Sequence, residues 1–164
     1  MNDGDAKELA IARYGKVEHP ALQDWVDAAI EYNQKHGTRW AECLIFKEDI
    51  SGCFNQFCWH PNSAVLIGIE VAPDTIMFNT NGGFGMTGGG MVWDCIAREG
   101  DHRLQEILRC ARKRYVDDMM LYGRWEDCNH DKKSLFRFWE DFLEKGAISL
   151  KKSLTPAQTC VILG

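Results

Sequence analysis

Residues 115–118 read Tyr115-Val116-Asp117-Asp118, and the apolar run Met119-Met120-Leu121-Tyr122 follows directly. Two carboxylates about 4 Å apart between strand-like apolar residues repel by roughly 4 kcal/mol at an effective dielectric near 20. A divalent cation removes that cost, and hard cations such as Mg²⁺ take carboxylate oxygens as ligands. A solvated turn carrying two acids is the plainer alternative, since Asp is a common turn residue.

Other residue sets point to different chemistry. Gly83, Gly85 and Gly88 spell the G-x-G-x-x-G of dinucleotide-binding loops, preceded by strand-like residues and followed by a helical run. Such loops have an acidic residue about 20 positions on, ending a second parallel strand; Leu108 stands there, inside a helical run. Cys128 and His130 form a C-x-H pair, but a zinc finger needs a second pair, and these two read as part of a surface loop. Seven cysteines without a C-x-x-C pair fit neither a disulfide framework nor a zinc finger, and reduced thiols are expected.

The 164 residues amount to one domain, long enough to bury roughly 70% of the unfolded surface. Apolar residues at 45% and charged residues at 26% are ordinary globular values. No run approaches the ~18 consecutive apolar residues of a membrane span. Met1-Asn2-Asp3-Gly4-Asp5 lacks the apolar core of a secretory signal, so an intracellular setting, cytoplasmic or nuclear, is expected, with no secretion. The net charge of -5 sits awkwardly with nucleic-acid binding, which needs clustered Lys and Arg. Local clusters exist all the same: Arg109, Arg112, Lys113 and Arg114 ahead of the paired acids, and Lys145, Lys151 and Lys152 further on.

The elements that must position these residues follow from periodicity. Residues 1–18 show no firm period and read as a lead segment before a domain of residues 19–164. Pro20 opens a helix whose stripe is Leu22, Trp25, Val26, Ala29, Ile30 and Asn33, closed by Gly37. Cys43-Leu44-Ile45-Phe46 reads as a buried strand running into Lys47-Glu48-Asp49-Ile50. A short helical or turn segment over 51–59 closes at His60-Pro61, and residues 64–71 and 75–79 make a hairpin about Pro73-Asp74. Beyond a glycine-dense stretch, Met91, Val92, Cys95 and Ile96 mark one helical face. After a break at Gly100-Asp101, Leu104, Ile107, Leu108 and Ala111 mark another. The paired acids then occupy a tight strand, turn, strand. Leu135, Phe136, Phe138, Trp139, Phe142 and Leu143 form a helical stripe ending at Gly146, with short strands at 148–150 and 161–163. This order predicts an α+β fold, an antiparallel sheet with helices packed on one face in a ferredoxin-like split βαβ arrangement. Opposite residues on neighbouring strands lie ~5 Å apart, so Asp49 meets Asp117 if it ends the strand beside the acid hairpin.

Four segments in order resemble the palm domain of reverse transcriptases, in particular those of retrotransposons and related retroelements. Asp49 followed five residues later by Phe54 looks like the family's first motif, and Gly83-Phe84-Gly85-Met86-Thr87-Gly88-Gly89 like its second. Tyr115-Val116-Asp117-Asp118 is the family's Tyr-x-Asp-Asp box. Lys151-Lys152-Ser153, then Val161-Ile162-Leu163-Gly164, resembles the fourth motif and the start of the primer-gripping hairpin. The resemblance implies RNA-directed DNA polymerase activity, with two Mg²⁺ (or Mn²⁺) ions held by Asp49, Asp117, Asp118 and the carbonyl of Ile50. It places Phe54, Phe84, Gly85 and Lys152 at the incoming nucleotide, with Phe54 rejecting a 2′-hydroxyl, and Tyr115, Leu163 and Gly164 near the primer. The implied partners are an RNA or DNA template with its primer and deoxynucleoside triphosphates.

An RNA-dependent RNA polymerase carries a second Asp five residues after the first and a Gly before the paired acids; Phe54 and Val116 hold those places here. Residues 1–40 offer no evident counterpart of the fingers, and a thumb would follow Gly164, so the expectation is a palm fragment that needs those segments or another chain. A palm-derived binding or structural module without turnover and an NAD-type dinucleotide-binding protein are the other readings.

Overall fold

The structure, a computed structural model, describes residues 4–64, 68–78, 80–83 and 88–159. The element order is α1 (Gly4–Tyr14), α2 (Leu22–His36), β1 (Leu44–Asp49), α3 (Pro61–Ala64), β2 (Gly68–Ala72), β3 (Thr75–Phe78), α4 (Gly89–Leu104), β4 (Ala111–Tyr115), β5 (Asp118–Gly123) and α5 (Trp125–Phe142), with short 3-10 turns at Trp40–Glu42 and Cys53–Gln56. The chain divides into two compact units, residues 1–17 with 52–95, and residues 18–51 with 96–164.

In the first unit, β2 and β3 pair antiparallel across Pro73-Asp74, with Asp74 in the left-handed region at φ 60°. Proline presets the first turn position and Asp tolerates the second, which is why this hairpin was readable from its turn. Its apolar residues Ile69, Val71, Ile76 and Phe78 are exposed. Gly82 packs so tightly on the 3-10 turn that a Cβ there would lie 2.0 Å from the Phe54 carbonyl oxygen. Residues 4–14, expected to lack regular structure, form α1, which the Cys95 Sγ and Tyr14 carbonyl contact of 3.8 Å ties to the start of α4.

The second unit is built on the antiparallel sheet β1-β5-β4. The register sets Asp49 opposite Asp118 and Tyr115 opposite Asp118, so these three residues share a face with Lys47, Lys113 and Met120. The alternate positions Phe46, Glu48, Met119 and Leu121 form the other face, where Phe46, Met119 and Leu121 are buried with Leu104, Leu135 and Trp139. Residues 147–157 run beside β1 on its far edge: Ser149 N–H donates to the Asp49 carbonyl, Leu154 N–H to that of Lys47, and Ile45 exchanges bonds with Ala157.

The α+β class is as expected, but the sheet is covered on both sides. Glu48 and Phe46 face α5 through Lys132. On the opposite face, Ala29 and Tyr32 of α2 pack with Cys43 and Tyr122, against Ile45 and Ala111. The face that α2 buries is rotated from the apolar stripe, leaving Leu22, Val26 and Ile30 exposed.

Two further expectations fail. Helix α4 runs unbroken through Gly100, because a Cβ there would stand 2.3 Å from Trp139 Cη2; the missing side chain makes room for an indole rather than ending the helix. Ala111 accordingly begins β4 instead of completing a helical face. Cys128 lies in α5, fully buried, not in a surface loop, with its Sγ 3.9 Å from that of Cys110. The six described cysteines are free, and among the described residues no helix is long and apolar enough to cross a membrane.

Candidate functional site

Strand β1 delivers Asp49 and the β4–β5 hairpin delivers Asp117 and Asp118. The hairpin closes through Val116-Asp117, with Val116 at φ 56°. A positive φ is costly for a β-branched residue, and strain of this kind persists only where surrounding contacts hold it. One such contact is the Arg114 Nη1 bond to the Val116 carbonyl, 2.9 Å. A second link joins the segments: Ile50 N–H donates to the Asp117 carbonyl at 3.0 Å.

Electrostatics follows from this convergence. Burial raises the Asp117 carboxyl above the ordinary Asp range, the nearby charges of Asp49 and Asp118 push it the same way, and Lys152 opposes them. Asp49 is 3% exposed; its Oδ1 accepts from Lys152 Nζ at 2.9 Å, while its buried Oδ2 has no hydrogen-bond partner. The Lys47 ammonium lies 3.0 Å from Asp118 Oδ1 and 3.1 Å from Oδ2, and only the second contact has hydrogen-bond geometry. The bond to Asp49 raises the Lys152 pKa, with further attraction from Asp117 and Asp118.

Lys152 reaches Asp49 because residues 149–153 bulge out of the segment beside β1 as a turn, with Lys152 and Ser153 N–H groups both on the Ser149 carbonyl. Lys132 of α5 anchors that turn, donating to Ser153 Oγ at 2.6 Å and to the Leu154 carbonyl at 2.9 Å while pairing with buried Glu48 at 2.6 Å.

The sequence-predicted residues therefore fall into three groups. Asp49, Ile50, Asp117, Asp118 and Lys152 come together, and Tyr115 shares their face, its ring 4.5 Å from that of His19. Phe54 belongs to the first unit, half-buried in the turn that packs on Gly82. Phe84, Gly85, Leu163 and Gly164 lie outside the described residues. Lys47 was missed, although its place two residues before Asp49 puts it on the same strand face. Lys132 had no signal in the sequence, because only the packing of α5 aims it at Glu48.

As a cation site the cluster offers hard carboxylate oxygens that repel one another, and Asp49 Oδ2 is buried without a donor. Both features fit Mg²⁺ or Mn²⁺. Among the described residues, however, no three His, Cys, Asp or Glu side chains already stand as a ligand set, and two lysines lie on two of the acids. No protein-family model matches the chain, and no curated protein sequence matches it. All strand pairings among the described residues are antiparallel, which is not the parallel arrangement of a dinucleotide-binding βαβ unit.

Proposed function

We propose that the chain is a polymerase palm of reverse-transcriptase type, extending a primer along an RNA or DNA template by two-metal nucleotidyl transfer. The observation that carries this reading is the strand register: Asp49 stands opposite Asp118, with Asp117 at the adjoining turn. Asp49, Asp117 and Asp118 would hold two Mg²⁺ ions, Mn²⁺ substituting. When bound, such a pair activates a primer 3′-hydroxyl and neutralises the departing pyrophosphate.

The protein's own residues do the rest. Asp49 gives up its contact with Lys152, whose freed ammonium turns to the negative pyrophosphate and donates a proton there. Lys47 holds the Asp118 carboxylate in its orientation. Roles for Phe54, Phe84 and Gly85 at the incoming nucleotide rest on the resemblance alone. Template, primer and deoxynucleoside triphosphates are the partners, in an intracellular setting.

Primer extension on poly-rA/oligo-dT with Mg²⁺ or Mn²⁺ tests this. Wild type should extend the primer and Asp117→Asn should not, with a loss of at least about 100-fold, since the group holds the metal that performs the chemistry. Absence of extension by wild type sinks the reading and leaves a palm-derived binding module, an outcome consistent with Lys47 and Lys152 resting on two of the acids.

A further inference from the structure

The acid cluster lies on one face of the sheet and Lys132 of α5 on the other, and the turn over 149–153 touches both. Ser153 Oγ meets Lys132, while Lys152 Nζ meets Asp49 Oδ1. We propose that Lys152 competes with a cation for Asp49, and that Lys132 is the positioning residue that sets the strength of this competition. The inference deepens the polymerase reading and rests on it for the use of a cation at Asp49.

The Lys132 ammonium has three N–H donors, and three acceptors surround it: Glu48 Oε1 at 2.6 Å, Ser153 Oγ at 2.6 Å and the Leu154 carbonyl at 2.9 Å. Two of the three belong to the turn or its exit. The turn has few other ties among the described residues. Its ends are held on β1, by Ser149 N–H on the Asp49 carbonyl and Leu154 N–H on that of Lys47. Between them Leu150, Lys151 and Lys152 are exposed. Residues 149–154 thus span only the step from Asp49 to Lys47, a detour that a regular strand would not make. Lys132 ties down the return leg of that detour, beside Lys152.

Lys47 needs no such anchor, because it rides on β1, whose register sets it against Asp118. Lys152 reaches Asp49 from outside the sheet, with its side chain 62% exposed. A pair exposed to that degree contributes little, so a divalent ion, with twice the charge, can displace the ammonium. Asp49 Oδ2 is buried without a hydrogen-bond partner. The carboxylate therefore keeps an unmet demand for positive charge even with Lys152 in place.

The test is Mn²⁺ binding to the full chain without nucleotide, primer or template, followed by loss of the free ion's paramagnetic resonance signal. Lys152→Met should tighten binding about 5-fold, the most that an exposed pair is worth. Lys132→Met alone would strand the buried Glu48 charge. The anchor is therefore removed by Glu48→Gln together with Lys132→Met, which leaves the net charge unchanged. This double variant should tighten Mn²⁺ binding roughly 3-fold, and by nothing further where Lys152→Met is already present. Ser153→Ala removes one anchor contact without touching any charge. It should tighten binding about 2-fold, and it keeps the test valid if the double variant fails to fold. Lys133→Gln, exposed on α5, should change nothing.

The proposal is overturned if Lys152→Met does not tighten binding, or if the double variant and Ser153→Ala both match wild type. It is also overturned if either tightens Mn²⁺ binding as much without Lys152 as with it, which would give Lys132 a structural role alone. Binding by Asp117→Asn equal to that of wild type would place the ion elsewhere and overturn it too. Affinities that follow the turn, with no primer extension, sink only the polymerase reading. Extension by wild type, with Mn²⁺ affinity indifferent to the turn, sinks only this inference.

Discussion

Asp117 carries its charge under protest, and that has a measurable consequence. Burial and its two acidic neighbours raise its folded-state pKa. Its linkage to folding therefore favours the protonated form: the stability it contributes is present below the ordinary Asp value of about 3.9 and is lost as pH rises through the raised value. At neutral pH the charge destabilises the fold. Asp117→Asn should raise the melting temperature at pH 7 without metal, by about 1–2 °C once solvent screening of this half-exposed group is allowed for. The gain should shrink to nothing as pH falls below about 4. A variant less stable than wild type at pH 7 would show that Asp117 is held by favourable contacts instead. The four-residue string betrayed Tyr115, Asp117 and Asp118 because a paired acid inside an apolar run needs a reason to exist. Asp49 came from the spacing to Phe54 and from its place at the end of a predicted strand, and what unites it with Asp118 is strand register, which no local pattern encodes.

At the scale of elements, the misreadings share one cause, that packing decides what a local signal means. Gly37 and Gly100 look alike in sequence. Gly37 ends α2 in a left-handed cap at φ 62°, whereas Gly100 sits within α4 where Trp139 leaves no room for a Cβ. Gly100→Ala should therefore destabilise the protein by about 1–2 kcal/mol, overpacking exceeding the better helix propensity of Ala. The check is a lower urea midpoint at unchanged slope; an unchanged or higher midpoint would mean that Trp139 moves aside freely. The stripe on α2 misled for a related reason. Tyr32, with a hydroxyl that donates to Asp127 and accepts from Arg124 N–H, is buried more completely than Val26 or Ile30. Hydrogen-bond satisfaction, invisible to an apolar count, turned the helix. The hairpin at Pro73-Asp74 and the helical stripe from Leu135 are legible because turn chemistry and a regular period need no tertiary partner to be read, whereas the first turns of α5 are not, since Cys128 and His130 read as a surface loop.

For the molecule as a whole, the net charge of -5 does not show that three carboxylates gather at one end of a single sheet. If the carboxylates are a cation site, Mg²⁺ or Mn²⁺ at about 100 times its dissociation constant should stabilise the fold by about 2.7 kcal/mol, a rise in melting temperature of roughly 5–10 °C. Asp117→Asn should abolish most of that rise. An identical rise in the variant would place the ion elsewhere. The segment beside β1 carries one last implication, for the order in which the protein assembles on the ribosome. Lys152 and Asp49 are 103 positions apart, and at least that much chain must be synthesised before Asp49 acquires its counter-charge. Until then the nascent strand presents a bare edge and an uncompensated acid, so the surroundings of Asp49 are completed late in synthesis.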